Sequence, residues 1–385
     1  MIGSVRLALN AGLLLPGPAP AELLSALRSV EVVETDGGSC TFELVFGAEA
    51  VDAAQFAIAA SALLEPFSRV LLRVLVDGDS TTLVDGFITK HSFEPSSTGE
   101  SRLVVSGEDV SVVMDIVDYS REFPVLPDGA IVLAVLAPYL AVGIVPEVSP
   151  LGSSLVPYDH VPQQAGTDRA TIRQLAEQNG FVFYVRPLSL PFTNSAYWGP
   201  PQRDAPPSAV LDVATGPFST VESASFTLDA LAPTAFFGLV MEKSIDPYVD
   251  VPLVTLGSDR MPPLATDPVL TPLTTLAGWT RKKLWNNQEL DPVRAQLVAQ
   301  GCTNVSTDNV VSGTIEVDPL RLGTIVHAPG VVGVRGAGPS YDGLFYLRTA
   351  THRISLGADG TWNYRESLTV AREGLGSTVP ALAPV

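Results

Sequence analysis

Near the carboxyl end of the chain, hydrophobic and polar positions alternate in the pattern of a long β-hairpin. Residues 344–355 predict one strand, because successive side chains of a strand point to opposite faces. Residues 357–360, Gly-Ala-Asp-Gly, supply glycines for the reversal. One predicted face of the first strand holds Leu344, Tyr346, Arg348, Ala350, His352 and Ile354. The other face holds Phe345, Leu347, Thr349, Thr351, Arg353 and Ser355. The return strand places Trp362, Tyr364, Glu366, Leu368 and Val370 on a face that we expect to be buried.

This hairpin requires further strands, since an isolated pair is at best marginally stable in water. Residues 206–235 and 305–376 supply such strands and are interpreted as one β-barrel that ends in the hairpin. A first cluster of alternating segments runs through residues 30–106, with glycine-containing turns at residues 36–39 and 77–78. We interpret residues 1–118 as another compact β-barrel.

Between the two clusters, residues 119–205 are interpreted as a small α/β middle domain. The clearest helix covers residues 167–179, with Thr167 or Asp168 as N-cap and Gly180 as a left-handed stop. Its apolar stripe is Ile172, Leu175 and Ala176, which we expect to pack on a strand at residues 181–185. The predicted fold class is therefore mainly β with α/β parts.

An insertion is predicted at residues 236–304, consisting of helices and loops. It contains a predicted helix at residues 273–285 and another at residues 291–300 that stops at Gly301. The only dense basic and aromatic cluster, Arg281-Lys282-Lys283 with Trp279 and Trp285, lies on the first of these helices. It is either a patch for an acidic partner or a solvated helix face. Residues 377–385 form a short tail that does not fold alone.

Composition narrows the possible functions. The 385 residues carry a formal net charge of −18, which argues against a nucleic-acid-binding surface because phosphate recognition needs clustered Lys and Arg. No apolar run is long enough to predict a membrane span, and prolines interrupt any signal-peptide core near the amino terminus. The two cysteines, Cys40 and Cys302, do not suggest a disulfide framework.

Signatures of catalysis are absent from the sequence. It contains neither a G-x-S-x-G elbow nor a P-loop, and its four histidines show no metal-ligand spacing. His352, in the middle of a strand, is expected to be a satisfied residue of the second barrel. We therefore predict no catalytic residues, no cofactor and no metal site.

Two groups of residues resemble motifs of the phage late control D family, the central baseplate hub of contractile tails and related injection machines. The last hairpin matches the family pattern at Asp342-Gly343, Phe345, His352, Arg372 and Gly374. The predicted helix that ends at Gly180 and continues into Phe181 matches the middle α/β domain of the family. Both barrels would then be related to tail-tube protein, and the sequence Asp85-Gly86-Phe87 in the first is a faint echo of the last hairpin.

The resemblance implies a structural hub rather than an enzyme. It implies a homotrimer that joins a hexameric inner tube to a trimeric spike and contacts other baseplate proteins, with DNA or cargo passing through the lumen. Because the chain ends soon after the last hairpin, we expect the spike to be a separate protein. Assembly is expected in the cytoplasm, within a phage tail or contractile injection particle. Two alternatives stay open, a glycan-active enzyme built from β-domains and a β-rich binding module.

Overall fold

A computed structural model describes most of the chain: residues 5–13, 16–48, 63–76, 78–95, 101–124, 126–150, 161–213, 219–243, 247–276, 278, 280–287 and 290–378. The first cluster is made of strands that alternate between buried and exposed positions, as the sequence pattern predicts. Its elements are β1 (Val5–Gly12), β2 (Gly17–Pro18), α1 (Ala21–Ala26), β3 (Leu27–Thr35), β4 (Thr41–Ala48), β5 (Arg69–Val76), β6 (Asp79–Glu94) and β7 (Ser101–Asp109).

The middle part mixes helices with two small sheets. Its elements are the 3₁₀ helix η1 (Val110–Asp115), β8 (Asp118–Glu122), α2 (Asp128–Leu136), the 3₁₀ helix η2 (Ala137–Val142), β9 (Ile144–Val148), β10 (Gln163–Thr167), α3 (Asp168–Asn179), β11 (Val182–Pro187) and β12 (Asn194–Gly199). Helix α3 confirms the predicted helix, because the Thr167 hydroxyl caps its first turn and Gly180 follows it in the left-handed conformation. Ile172 and Leu175 are buried in the same core as Phe183, as predicted.

The second cluster begins with β13 (Val210–Asp212) and β14 (Val221–Leu228) and resumes after the insertion. Its later elements are β19 (Val311–Val317), α6 (Pro319–Leu322), β20 (Gly330–Arg335), β21 (Gly343–Leu356), β22 (Trp362–Arg372) and β23 (Gly374–Leu375). Strands β21 and β22 form the predicted hairpin. The face of β22 that was predicted to be buried is confirmed for Tyr364, Glu366, Leu368 and Val370. Trp362, on the same face, is half-buried.

The insertion contains more β structure than predicted. Its elements are β15 (Thr234–Glu242), β16 (Val249–Val254), β17 (Asp267–Pro268), α4 (Pro272–Leu276), β18 (Arg281–Leu284) and α5 (Pro292–Asp308). The helix predicted at residues 273–285 is wrong over Arg281–Leu284, because these residues form a strand that pairs in parallel with β15. The stop predicted at Gly301 is also wrong, since α5 continues to Asp308.

One open sheet runs through both strand clusters. Its 13 strands follow the order β14-β19-β22-β21-β3-β4-β7-β6-β5-β1-β2, with β20 beside β21 and β13 beside β20. The mainly β fold class is confirmed. None of the sheets formed by the described residues closes on itself, so the two clusters are open sheets joined through β3 and β21 rather than closed barrels.

A bulge at Arg348 divides β21 between the two clusters. The amino-terminal half of β21 pairs with β20, and the half after the bulge pairs with β3 of the first cluster. The predicted alternation holds on each side of the bulge, but because one extra residue turns every later side chain to the other face, the two predicted sets exchange faces at Arg348. Before it, Phe345 and Leu347 lie in the second core, while Ile354, after it, lies in the first core.

No helix within the described part of the chain combines the length and the apolar character needed to cross a bilayer.

Candidate functional site

Arg372, at the end of β22, is a fully buried cation that binds backbone rather than a carboxylate. Its guanidinium donates to the carbonyl oxygens of Gly374 at 2.9 Å, Asp342 at 3.0 Å and Ser340 at 2.8 Å. It also lies over the Phe345 ring, 4.3 Å from its centroid. Burial lowers the pKa of Arg372 to about 10, partly offset by the nearby Glu373 and Asp342. The side chain thus fastens both ends of the last hairpin.

The glycines and the aspartate of the same motif surround Arg372. Asp342 accepts a hydrogen bond from the Ala337 amide at 2.7 Å. Gly343 has a φ of +122°, and a β-carbon there would lie 2.6 Å from the Ser377 hydroxyl oxygen. Five of the eight predicted motif residues therefore come together here: Asp342, Gly343, Phe345, Arg372 and Gly374.

Glu373, next to this cluster, ties the hairpin to other parts of the chain. It accepts hydrogen bonds from the backbone amides of Leu264 and Ala265 in the insertion. It also pairs with the buried Arg203 at 3.0 Å, and Arg203 in turn pairs with Asp308 at the end of α5. One ionic network thereby holds together the insertion, the hairpin and the carboxyl end of the middle part.

His352 lies apart from Arg372, at the boundary between the two hydrophobic cores. It is fully buried and stands directly opposite Glu366 on β22 and Val32 on β3. Its Nδ1 atom is 3.0 Å from the Tyr364 hydroxyl and 3.3 Å from Glu366 Oε1. Its Nε2 atom faces Glu34 Oε2 at 3.4 Å, and His327 Nδ1 lies 2.8 Å from Glu34 Oε1.

The charged side chains of this group shift the pKa values of His352 and Glu34. Burial alone would lower the pKa of His352, but Glu34 and Glu366 outweigh it and raise the pKa to about 10. Burial alone would raise the pKa of Glu34, yet His327 and His352 hold the pKa of that carboxyl well below its usual range. The sequence did not reveal this group, because Glu34 is remote in the chain from His327 and His352.

Gly180 and Phe181, the remaining motif residues, lie in the middle part. Gly180 has a φ of +63°, and it also touches α5: a β-carbon on Gly180 would come within 2.6 Å of the Gly301 α-carbon. Phe181 packs edge-on against Trp198, with ring centroids 4.9 Å apart. This group is a packing junction between α3 and the insertion.

Asp85-Gly86 in the first cluster makes different contacts from the similar sequence Asp342-Gly343 in the last hairpin. Asp85 forms a buried bidentate ion pair with Arg69, both contacts measuring 2.7 Å. Arg69 also donates to the carbonyl of Phe192, and Asn194 donates to Asp85 at 2.9 Å. The pair therefore attaches the first cluster to the middle part, whereas Asp342 binds only the backbone of its own cluster in the contacts described above.

The basic residues Arg281, Lys282 and Lys283 are exposed on β18, so the predicted helix face does not exist. Lys283 reaches the Phe236 ring at 5.9 Å, and Trp285 packs edge-on against the same ring. Trp279 lies outside the described residues.

A cleft of about 450 Å³ lies between the turn after β3 and helices α3 and α5. Two of its acidic groups are already engaged, because Asp36 pairs with Arg348 at 3.2 Å and Asp308 pairs with Arg260 at 2.8 Å. These two carboxylates are therefore held in ion pairs and are not a free pair of the kind that acid–base catalysis requires.

Comparison with known proteins identifies the fold. No protein-family model matches the chain, and no curated protein is similar to it in sequence. Among solved structures, a tail protein from Neisseria meningitidis MC58 matches with a TM-score of 0.63 and 14% identity, over 96% of this chain and 98% of that one. The 43 kDa tail protein of prophage MuSo2 from Shewanella oneidensis matches with the same score and identity, over 96% and 99%.

A third similar structure is an E. coli component of the type VI secretion system, described as structurally similar to tail proteins of bacteriophage T4. It matches with a TM-score of 0.54 and 11% identity, over 93% of this chain and 78% of that one. The resemblance to proteins of phage tails and injection machines is thereby confirmed at the level of the fold.

Proposed function

We propose that the protein is a structural baseplate hub of a contractile tail or injection system. The observation that carries this proposal is the agreement of fold over 96% of this chain and 98% of the tail protein from Neisseria meningitidis. Agreement over nearly the whole length of both chains favours a shared architectural role more than a shared single domain would. In this proposal the protein is not an enzyme, and it joins a hexameric inner tube to a trimeric spike.

The working form in this proposal is a homotrimer. Each chain contributes two strand clusters, so three chains would present six clusters to a sixfold tube. Among the described residues, the edge strand β14 pairs only with β19 in the large sheet. Exposed strand edges invite pairing with another chain, and a partner in the particle would give this edge a use.

The contacts within each chain would allow the protein to transmit mechanical load from one of its parts to another. Phe192 and Asn194 of the middle part form hydrogen bonds with the Arg69–Asp85 pair of the first cluster, and Glu373 links the hairpin to the insertion. The net charge of −18 would repel DNA or acidic cargo that passes through the lumen. In this proposal the chain assembles in the cytoplasm, together with other baseplate proteins, and becomes part of the particle.

The test is assembly with the tube and spike proteins. We expect mass photometry across a concentration series to detect trimers when both partners are present, with monomers dominating at low concentration when the chain is alone. Electron microscopy of the native particle should then locate the protein on the tail axis. A chain that stays monomeric with both partners, or forms only a twofold dimer, would refute the hub role and favour a β-rich binding module.

A further inference from the structure

We propose that Glu34, His327 and His352 form a binding site for a divalent transition metal, with Zn²⁺ as the best-matched ion. One ligand atom from each residue lies within 4.8 Å of the others. The site is built from β3 of the first cluster, β21 of the second and the segment before β20. It does not depend on the proposed function.

An unsatisfied ring nitrogen points into this site. His352 is fully buried, yet its Nε2 atom makes no hydrogen bond within the described part of the chain. It faces Glu34 Oε2 at 3.4 Å without the geometry of a hydrogen bond, so this buried atom is only partly satisfied. A metal ion held between Nε2 and the Glu34 carboxylate would satisfy it.

The ligand set and spacing fit zinc. Two imidazole nitrogens and one carboxylate oxygen are ligands that Zn²⁺ takes in three-residue sites that leave one position open. Ligands at about 2.0–2.1 Å from a tetrahedral ion are about 3.3 Å apart. The distance from His352 Nε2 to Glu34 Oε2 is 3.4 Å and matches that spacing, whereas His327 Nδ1 forms a hydrogen bond of 2.8 Å with Glu34 Oε1 that would have to lengthen for both to bind one ion. The His327 side chain is 39% exposed, so it can adjust and leave a path from solvent.

The surroundings of the three residues support the same assignment. Glu366 Oε1 lies 3.3 Å from Nδ1 of His352, the arrangement in which a carboxylate orients a metal-binding imidazole. The Ala328 amide donates to Glu34 Oε2 at 2.8 Å and holds that carboxylate in place. Two buried carboxylates, Glu34 and Glu366, also need compensating positive charge, which a divalent ion supplies.

Metal and protons compete for this site. Zinc binds the deprotonated imidazole, whereas the two carboxylates favour the protonated form in the absence of a metal. In the bound form, the ion would bridge the first strand cluster to the second across the boundary of their cores. The metal would then act as a cross-link between distant parts of the chain.

The experiment uses the full chain, freed of any affinity tag and stripped with EDTA. Titration calorimetry with ZnCl₂ and elemental analysis after dialysis should both give one zinc per chain. We expect His327→Ala to weaken binding by more than about 100-fold and Glu366→Gln to weaken it by about 10- to 100-fold. The matched control is His91→Ala, because His91 is an exposed histidine elsewhere on β6 and should leave the affinity unchanged.

Wild-type protein provides a test that does not depend on folding of the variants. X-ray absorption of the zinc-loaded chain should give a shell of two imidazole nitrogens completed by oxygen. A shell containing sulfur or oxygen alone would overturn the proposal. So would the absence of stoichiometric zinc, or a His327→Ala variant that folds and binds zinc as tightly as the wild type.

Discussion

The contact between Gly180 and Gly301 gives the sharpest test of how the insertion packs on the middle part. A β-carbon at position 301 would lie 2.7 Å from the Gly180 nitrogen and 3.0 Å from the Asn179 carbonyl carbon. Ordinary contact begins at 3.4 Å, so the two backbones would have to separate by about 0.7 Å. No rotamer change relieves this clash, because its atoms belong to the main chain.

Two effects of Gly301→Ala oppose each other. Alanine in a helix interior is favoured over glycine by about 1 kcal/mol. Overpacking costs about 1–3 kcal/mol, and a backbone clash belongs at the upper end of that range. We therefore expect the free energy of unfolding to fall by about 2 kcal/mol.

The matched control is Gly129→Ala in α2. A β-carbon there would meet its nearest neighbour, Val148 Cγ1, at 3.6 Å, which is ordinary contact. This variant should therefore gain about 0.5–1 kcal/mol from helix propensity alone. Urea denaturation followed by tryptophan fluorescence measures both variants against the wild type. If Gly301→Ala matched or exceeded the stability of the wild type, α5 would not contact α3 as the structure describes.

Three further substitutions test other contacts by the same denaturation assay. Trp362→Ala should cost about 2 kcal/mol, because Trp362 is only half-buried against the first core, whereas Asn363→Ala on the exposed face should change stability by less than about 0.5 kcal/mol. Arg372→Lys should lower the free energy of unfolding by about 3 kcal/mol, because one ammonium group cannot bind all three carbonyls that the guanidinium binds. The control Arg353→Lys, in an exposed ion pair, should lower it by under about 1 kcal/mol. Asp85→Ala should cost about 3–5 kcal/mol by leaving the Arg69 charge buried without its partner, and a loss under about 1 kcal/mol would contradict that contact.

Local patterns in the sequence predicted the elements whose environment is regular. Alternation identified β22 and its buried face, and capping residues identified both ends of α3. The exchange of faces at Arg348 in β21 was missed because apolar side chains occur on both sides of the bulge, so alternation alone does not reveal it.

Tertiary contacts account for the other differences. Gly301 has the residue type of a helix stop, but it is needed where α5 crosses the backbone at Gly180. Residues 281–284 become a strand because β15 offers an edge with which to pair. The five motif residues around Arg372 lie together because the two ends of one hairpin are adjacent. Glu34 and His352 lie close together only because β3 and β21 pair, and a single sequence does not reveal that pairing.

The pairing of β3 with β21 also has a consequence for synthesis of the protein. Val32 on β3 stands opposite His352, so one edge of the amino-terminal strands lacks its neighbour until nearly the entire chain has left the ribosome. At about 5–20 residues per second, this delay lasts roughly 16–60 seconds. An uncovered strand edge is prone to pair with other chains during that time. Newly made amino-terminal fragments should therefore be the form of this protein that depends most on chaperones.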